Sequence, residues 1–337
     1  MKEINKLLRY KVFFVFIIVI MLIGCQQKEE DPNLNEKLTI AMIPKVIGST
    51  YFDICAEGAR EKANEIGMDF IYKGPTTADA ASQVNIIQDM ILNEVDIIAI
   101  SPIDPAAVKP ILKQAQDEGI LVITYDADAD VDSRQAFVNQ VSKEVLGRHM
   151  MDNIAKGLGE DGKFAILTAS LTAENQNAWI KWIKRQLEEK YNNMELISII
   201  PTDEDQQKAY AQTRNLIQAH PDLEGILALS TVAVPGAARA IEALDKNGAV
   251  KLYGLALPND IRPYIKNGAT QSATLWDPRD LGELTVRISS MIYNGEEIID
   301  GQVFEHIGPI QYDEQESMII MGVPLDFTTE NIDDFNF

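Results

Sequence analysis

Two charged residues stand where two mostly apolar segments of strand length end. Lys45 follows the segment 38–43 and Pro44, and Asp126 follows the segment 120–125. A lysine ammonium only donates hydrogen bonds and a carboxylate only accepts them, so together they can hold a neutral ligand that does both. Each such bond is strengthened because one partner carries a charge. A molecule with several hydroxyl groups, a polyol, is the ligand that fits this chemistry.

Amide and aromatic side chains complete this set. Asn175 and Gln176 carry amides, which both donate and accept hydrogen bonds. Aromatic rings at Phe52, Trp179 and Trp276 can cover the apolar faces of a sugar ring. The sequence therefore contains the donors, acceptors and apolar walls that a polyol site needs.

The same residues also have purely structural interpretations, which the sequence leaves open. Lys45 could be an ordinary surface lysine at a strand end, and Asp126 could cap a turn or a helix. Asn175 and Gln176 could simply begin a helix, since Asn is a good N-cap. The three aromatic residues could pack in the core. Asp128 and its neighbours are more often a solvated acidic loop than part of a site.

An alternation of helices and strands must position these side chains. Between residues 38 and 126, apolar segments of strand length alternate with helical stretches, and the pattern recurs between residues 142 and 275. Such alternation is typical of parallel sheets wrapped by helices. Ligands bind at the carboxyl ends of the strands in such sheets, and Lys45 and Asp126 both fall there.

We therefore predict an α/β fold with two similar, doubly wound parallel-sheet lobes joined by a hinge of several chain crossings. The first lobe is expected to comprise residues 38–140 plus about 276–300, and the second residues 141–275 plus about 301–337.

The N-terminus has the features of an export signal. Four basic residues precede a stretch without charge at 12–24. Its thirteen residues would span roughly 20 Å as a helix, short of a bilayer core of about 30 Å, so we predict a signal peptide over residues 1–24 rather than an uncleaved anchor helix. The segment ends in Leu22-Ile23-Gly24-Cys25, which resembles the bacterial lipobox, in which the cysteine thiol is diacylated. Residues 25–37 are polar and predict a flexible tether.

Several functional classes are disfavoured by the sequence. A formal net charge of −21 would repel a phosphate backbone, so we expect no nucleic-acid partner. The Gly157–Gly162 stretch matches GxGxxG but lies between a helix and the next strand, the reverse of a dinucleotide site. The three histidines lack metal-ligand spacing, and there is no Gly-x-Ser-x-Gly motif. Cys55 is expected to be a buried small hydrophobe. We expect no cofactor, no metal and no enzymatic activity.

Several segments, in the same order, resemble the sugar-type periplasmic binding proteins, the type I solute receptors of ABC importers. The resemblance covers nearly all of residues 38–337, and within that family it is greatest to rhamnose-binding proteins and to receptors of the quorum signal autoinducer-2. The shared stretches are Ile43-Pro44-Lys45, Gly74-Pro75-Thr76, Asp126-Ala127-Asp128, Asn139-Gln140, Asn175-Gln176-Asn177-Ala178-Trp179 and Leu275-Trp276-Asp277.

The resemblance implies a ligand site. In autoinducer-2 receptors the contacts correspond to Lys45, Asp126, Gln176 and the loop that contains Thr231 here. Asn175 stands where those receptors have a second aspartate, and the segment that begins with it is more similar to rhamnose-binding proteins. The expected ligand is therefore either a rhamnose-type deoxyhexose or autoinducer-2. The expected ligand-binding residues are Lys45, Phe52, Asp126, Asn175, Gln176, Trp179, Thr231 and Trp276.

The functional expectation is an extracytoplasmic receptor, anchored to the bacterial cell membrane by a lipid on Cys25, which delivers a small sugar-like ligand to an ABC permease and acts as a monomer. A sensory receptor that presents the bound ligand to a chemoreceptor or kinase ectodomain is the alternative. A repressor of the same fold would need a helix-turn-helix before the first strand, whereas residues 1–37 have the features of a signal and tether.

Overall fold

The predicted alternation of strands and helices is present in the computed structural model, which describes residues 37–337. The predicted signal peptide, the lipidation site Cys25 and the tether up to residue 36 lie outside the described residues. Residues Leu38–Phe337 form one compact unit.

The first sheet has seven strands in the order β2-β1-β3-β4-β5-β14-β13. Its strands are β1 Thr39–Ile43, β2 Asp69–Tyr72, β3 Ile97–Ile100, β4 Leu121–Tyr125, β5 Ala136–Val141, β13 Gln311–Asp313 and β14 Met318–Gly322. Every pairing is parallel except that of β13 with β14. The helices α1 Thr50–Glu65, α2 Ala80–Leu92 and α3 Pro105–Asp117 connect the first four strands. We call this sheet with its helices the first lobe.

The second sheet has four parallel strands in the order β7-β6-β8-β9. They are β6 Gly162–Thr168, β7 Met194–Pro201, β8 Leu223–Ala228 and β9 Lys251–Gly254. Around them lie α4 Lys143–Leu158, α5 Glu174–Lys190, α6 Gln206–Ala219, α7 Ala233–Ala243 and α8 Pro258–Lys266. We call this group the second lobe. An α/β fold with parallel sheets and alternating helices is thus confirmed.

The chain passes between the two sheets three times. It leaves the first sheet after β5 and enters α4, and it returns after β10 (Ala273–Leu275) into α9 (Pro278–Tyr293), which packs against α1, β4 and β5. It leaves again after β14, and β15 (Leu325–Phe327) then pairs antiparallel with β10. Between α9 and β13, the short strands β11 Val303–Phe304 and β12 Gly308–Pro309 form a small hairpin.

The placement of the C-terminal strands differs from the expectation. Residues 301–337 were predicted to belong to the second lobe, but β13 and β14 extend the first sheet, with Ile319 paired to Val138 and fully buried. A short apolar strand carries no sign of which sheet edge it will join, and this edge is beside β5. The other predicted lobe limits stay predictions.

Local signals explain where two of the helices begin. Asp104 accepts hydrogen bonds from the backbone of Ala106 at 2.9 Å, and Pro105 occupies the first turn of α3. Asp277 and Pro278 repeat this arrangement at the start of α9. None of the helices between residues 37 and 337 combines the length and apolarity needed to cross a bilayer.

Candidate functional site

A cavity with about 390 Å³ of empty space lies between the two lobes, at the carboxyl ends of both sheets. All eight predicted ligand-binding residues line it: Lys45, Phe52, Asp126, Asn175, Gln176, Trp179, Thr231 and Trp276. Tyr51, Glu204 and Ser230 are among the further lining residues, which the sequence analysis did not single out.

Strand ends bring the polar side chains together. Lys45 lies two residues beyond β1 and Asp126 directly follows β4, so both project from the same edge of the first sheet. Asn175 and Gln176 lie in the first turn of α5, which follows β6, and Thr231 lies in the loop after β8. The carboxyl ends of the two sheets thus supply opposite walls of the cavity.

The Asp126 carboxylate has three polar partners in the first lobe. Its Oδ2 lies 3.1 Å from Lys45 Nζ and accepts a hydrogen bond from Ser101 Oγ at 2.8 Å. Its Oδ1 accepts a hydrogen bond from Tyr51 Oη at 3.1 Å. Asp126 is only 5% exposed, and a buried carboxylate needs such partners to offset its lost hydration. Its backbone φ of +61° is uncommon for a residue with a side chain, and such conformations cluster at functional sites.

Lys45 also reaches across the cavity to the second lobe. Its Nζ donates to Asn175 Oδ1 at 3.3 Å, and Asn175 Nδ2 donates to the Asp126 carbonyl oxygen at 3.5 Å. The two lobes are therefore in direct polar contact at the site. A ligand hydroxyl placed between Lys45 and Asn175 would meet a donor on one side and an amide on the other.

Gln176 is held in a fixed orientation by the end of β6. Its Oε1 accepts hydrogen bonds from Thr168 Oγ1 at 2.7 Å and from the Ala169 backbone N–H at 2.6 Å. Among the described residues, its Nε2 makes no hydrogen bond, so this amide is oriented to donate to a ligand.

The aromatic residues form a connected wall. The rings of Trp179 and Trp276 lie 6.3 Å apart between centroids, and Trp276 lies 6.1 Å from Tyr51. Trp276 Nε1 donates to Tyr51 Oη at 3.0 Å, and Phe52 lies edge-on to Tyr51 at 5.1 Å. These residues are at most 5% exposed and belong to the main hydrophobic core as well as to the cavity lining. Core packing and a ligand wall are therefore compatible roles for them.

Tyr51 completes the contact between this wall and the charged pair. Burial and the nearby charge of Asp126 raise the pKa of Tyr51 well above its ordinary value, so the phenol stays protonated and remains a donor at neutral pH. The sequence could have indicated Tyr51 only through its neighbour Phe52, because its contact with Asp126 spans 75 positions of the chain.

Glu204 could have been found from the sequence by the criterion that identified Lys45. It lies three residues beyond the end of β7, again at the carboxyl edge of a sheet. It lines the cavity from the second lobe, and burial raises its pKa while the charge of Lys45 lowers it.

No group of three or more potential metal ligands is present among residues 37–337.

Known proteins with the same architecture share this fold over most of its length. The family described as periplasmic binding protein domain matches residues 40–297. A solute binding protein of an ABC transporter from Clostridium phytofermentas, solved with bound L-rhamnose, is 31% identical, with a TM-score of 0.83 over 89% of this chain and 98% of that one. LsrB from Clostridium saccharobutylicum, solved in complex with AI-2 (autoinducer-2), is 25% identical, with a TM-score of 0.83 over 89% of this chain and 100% of that one.

A curated relative is named for other sugars. The D-ribose/D-allose-binding protein of Pseudomonas aeruginosa is 27% identical over 245 residues, which are 69% of this chain and 75% of that protein.

Proposed function

This chain belongs to the periplasmic binding protein domain family, and on that basis we propose that it binds one small, uncharged sugar-like polyol in the cavity between its lobes and delivers it to an ABC permease. The resemblance predicted from the sequence is confirmed by the match over residues 40–297. Two of the relatives compared above, from Clostridium phytofermentas and Pseudomonas aeruginosa, are named as binding proteins.

One observation carries the proposal. One cavity joins the Lys45–Asp126 pair of the first lobe to Asn175 and Gln176 of the second, beside an aromatic wall that includes Trp276. A polyol can bond to both sets of polar groups at once, because each hydroxyl donates and accepts. Such a ligand would hold the lobes together and bias the protein towards its closed state.

Two ligands are supported by specific resemblances, and we keep both. A rhamnose-type deoxyhexose is supported by the relative solved with L-rhamnose and by an amide rather than a carboxylate at Asn175. Autoinducer-2 is supported by the similarity to LsrB and by Lys45, Asp126 and Gln176, which the resemblance assigned to that ligand.

A thermal-shift screen tests the proposal. The probes are L-rhamnose, autoinducer-2, D-ribose, D-allose and D-arabinose, each added to the folded protein. A ligand present at about 100 times its dissociation constant should add about 2.7 kcal/mol to the free energy of unfolding. The sugar that produces the largest shift identifies the ligand class. A complete absence of stabilisation by neutral sugars and by autoinducer-2 would contradict the proposal.

We further propose that the exported protein is a monomer held at the membrane by a lipid on Cys25. The basic start, the short apolar segment and the tetrapeptide that ends in Cys25 support this anchoring. The wild-type chain should incorporate labelled palmitate and the Cys25→Ala variant should not. Labelling of the variant would show that the lipid is elsewhere. Light scattering on the chain without residues 1–25 should give the mass of one copy.

A further inference from the structure

Glu204 is an acidic residue of the cavity that is not among the ligand-binding residues expected from the sequence. It lies in the short loop between β7 and α6 and is partly buried. It lines the central cavity together with Lys45 and Asp126, and it also lines a second space, to which Asp104 and Ser170 contribute. Glu204 and Lys45 are the residues that line both spaces, so they lie where the two spaces meet.

The backbone holds Glu204 in this position. Asp203 and Glu204 have φ values of +53° and +52°, a left-handed conformation that costs free energy in residues with side chains. The loop is fastened to the end of β6, because the Thr202 N–H donates to the Thr168 carbonyl at 2.8 Å and the Asp203 N–H donates to the Ala169 carbonyl at 2.6 Å. An outlier that the surrounding structure imposes points to a function for the side chain that it directs.

The two flanking acids have structural partners outside the central cavity. The Asp203 carboxylate pairs with Lys208, and the Asp205 carboxylate accepts the Lys208 backbone N–H at 2.8 Å and caps α6. Of the three consecutive acidic residues, Glu204 is the one that lines the central cavity. Its role there is therefore not that of a helix cap or a surface ion pair.

The charges of the cavity are unbalanced. Its charged lining residues are Lys45, Asp126 and Glu204, so their formal charges leave the cavity one unit negative. The single cation is already 3.1 Å from Asp126, and no ion pair within 4.0 Å among residues 37–337 involves Glu204. The pKa of Glu204 is raised, chiefly by burial, and the charge of Lys45 opposes this shift. Because no cation among residues 37–337 pairs with it, the Glu204 carboxyl group is available to a hydroxyl of the ligand.

We propose that Glu204 is a specificity-determining residue, which accepts a ligand hydroxyl from the side of the second lobe and excludes anionic derivatives of the same sugar. The inference rests on the proposed function of this cavity. A carboxylate only accepts hydrogen bonds, so it selects a hydroxyl and repels a phosphate or a carboxylate. Asp126 lies in the cavity with Glu204, and the charge of Lys45 is compensated by Asp126. An anion that enters the cavity therefore meets net negative charge.

The test compares neutral sugars with their phosphates by titration calorimetry. The probes are L-rhamnose with L-rhamnose 1-phosphate and D-ribose with D-ribose 5-phosphate. The proteins are the wild type, Glu204→Gln, Glu204→Ala and the control Glu195→Gln, which makes the same chemical change at an exposed position near the other end of β7. The melting temperature of each empty variant is measured to establish that it is folded.

The wild type should bind at least one neutral sugar and not its phosphate. Glu204→Ala should weaken binding of the neutral sugar roughly 10- to 100-fold, the range for losing a hydrogen bond to a charged group. Glu204→Gln keeps the shape of the side chain and one acceptor, so it should weaken binding of the neutral sugar less than Glu204→Ala does. It also removes a negative charge, so the ratio of the dissociation constant of the phosphate to that of the neutral sugar should fall at least about tenfold. Glu195→Gln should change neither quantity.

Two failures are distinguishable. If the wild type binds the neutral sugar and Glu204→Gln alters neither the affinity nor the ratio, the role of Glu204 is wrong while the proposed function stands. If the wild type binds neither neutral sugar, the proposed ligand is not a neutral deoxyhexose or pentose, and the proposed role of Glu204 is then also wrong. Should Glu204→Ala not fold, the nearly isosteric Glu204→Gln carries the test alone.

Discussion

Asp126 is the residue on which the polar network of the cavity depends. Its carboxylate pairs with Lys45 and accepts hydrogen bonds from Ser101 and Tyr51, and these three residues come from different segments of the first lobe. The ligand is expected to meet this network, because Asp126 and Lys45 both line the cavity. The left-handed backbone of Asp126 also restricts which substitutions give a clear answer, since Asn tolerates this conformation better than Ala does.

We predict that Asp126→Asn weakens sugar binding by roughly 1.5–3 kcal/mol, or about 10- to 100-fold. The amide lacks the charge and turns a donor towards one of the three donors that now bond to the carboxylate. Titration calorimetry with the sugar chosen by the thermal-shift screen measures the loss. Asp117→Asn, at an exposed position near the end of α3, is the matched control and should bind like the wild type. If Asp126→Asn bound the sugar with wild-type affinity, Asp126 would not be a ligand-binding residue.

The strand-end residues of the site were predictable from the sequence by a structural rule, whereas the predicted residues on helices rested on residue type and on the family resemblance. Lys45 and Asp126 could be predicted because the end of a parallel strand fixes where the next residues project. Ser101 directly follows β3 and could have been found by the same criterion. Tyr51 could not, because its hydrogen bond to Asp126 depends on side-chain directions across 75 positions of the chain. Trp179 and Trp276 belong both to the hydrophobic core and to the cavity lining, so the two alternatives that the sequence left open do not exclude each other.

At the scale of elements, α9 is fixed to the first lobe by an unusually close contact with α1. A Cβ added at Gly282 would lie 1.8 Å from the Cys55 carbonyl oxygen, and one added at Gly58 would lie 2.1 Å from the Arg279 carbonyl oxygen. Glycine at both positions therefore lets the two backbones touch. This contact holds the segment that carries Trp276 against the helix that carries Tyr51 and Phe52.

A polar cluster joins the helix of the first crossing to the strands of the other two. His149 of α4 places Nε2 2.9 Å from Asp326 Oδ1 of β15, and the same oxygen accepts from Thr274 Oγ1 of β10 at 2.6 Å and from Asn153 Nδ2 at 3.1 Å. The hydrogen bond to Asp326 raises the pKa of His149, and burial lowers it. The charge of Asp152 raises this pKa further. Burial alone would raise the pKa of Asp326, but hydrogen bonds from His149 and Thr274 lower it.

The stability contributed by this cluster should therefore depend on pH. A histidine whose pKa is raised on folding stabilises the protein fully below its unfolded pKa of about 6.5, and this stabilisation is lost as the pH rises through the folded value. The lowered pKa of Asp326 adds stability above an unfolded value of about 3.9, which is lost as the pH falls through the folded value. The pair is thus fully effective between those two pH values.

We predict that His149→Gln loses up to about 1 kcal/mol relative to the wild type at pH 5.5 and less at pH 8.5. Urea unfolding at the two pH values measures the difference. His220→Gln, whose side chain has no hydrogen bond to a carboxylate among residues 37–337, serves as the comparison and should show no such dependence. An equal loss for His149→Gln at both pH values would mean that the ion pair contributes nothing.

The elements themselves were largely predictable, and their partners were less so. Apolar strands that alternate with capped helices identified both parallel sheets. The final strands were harder, since β14 pairs beside β5 across roughly 180 positions of the chain and its own sequence does not encode that partner.

At the scale of the whole molecule, three crossings connect two lobes that meet at the cavity. Lys45, from one lobe, bonds directly to Asn175, from the other, and Trp276 directly follows β10 at the second crossing. We expect a ligand between the lobes to add contacts that only the closed arrangement provides. The central claim is therefore that the sugar occupies this cavity and no other surface.

The tryptophans of the chain allow that claim to be tested directly. Of the three, Trp179 and Trp276 line the cavity, whereas Trp182 lies outside it, beneath the Arg148 guanidinium at 5.0 Å. In a Trp182→Phe variant, all tryptophan emission therefore comes from the cavity wall. The measurement is a sugar titration of this variant followed by emission, with titration calorimetry on the same sample. We predict a saturable change in emission whose dissociation constant equals the calorimetric one. Heat of binding with unaltered emission and unaltered acrylamide quenching would place the sugar elsewhere and contradict the account.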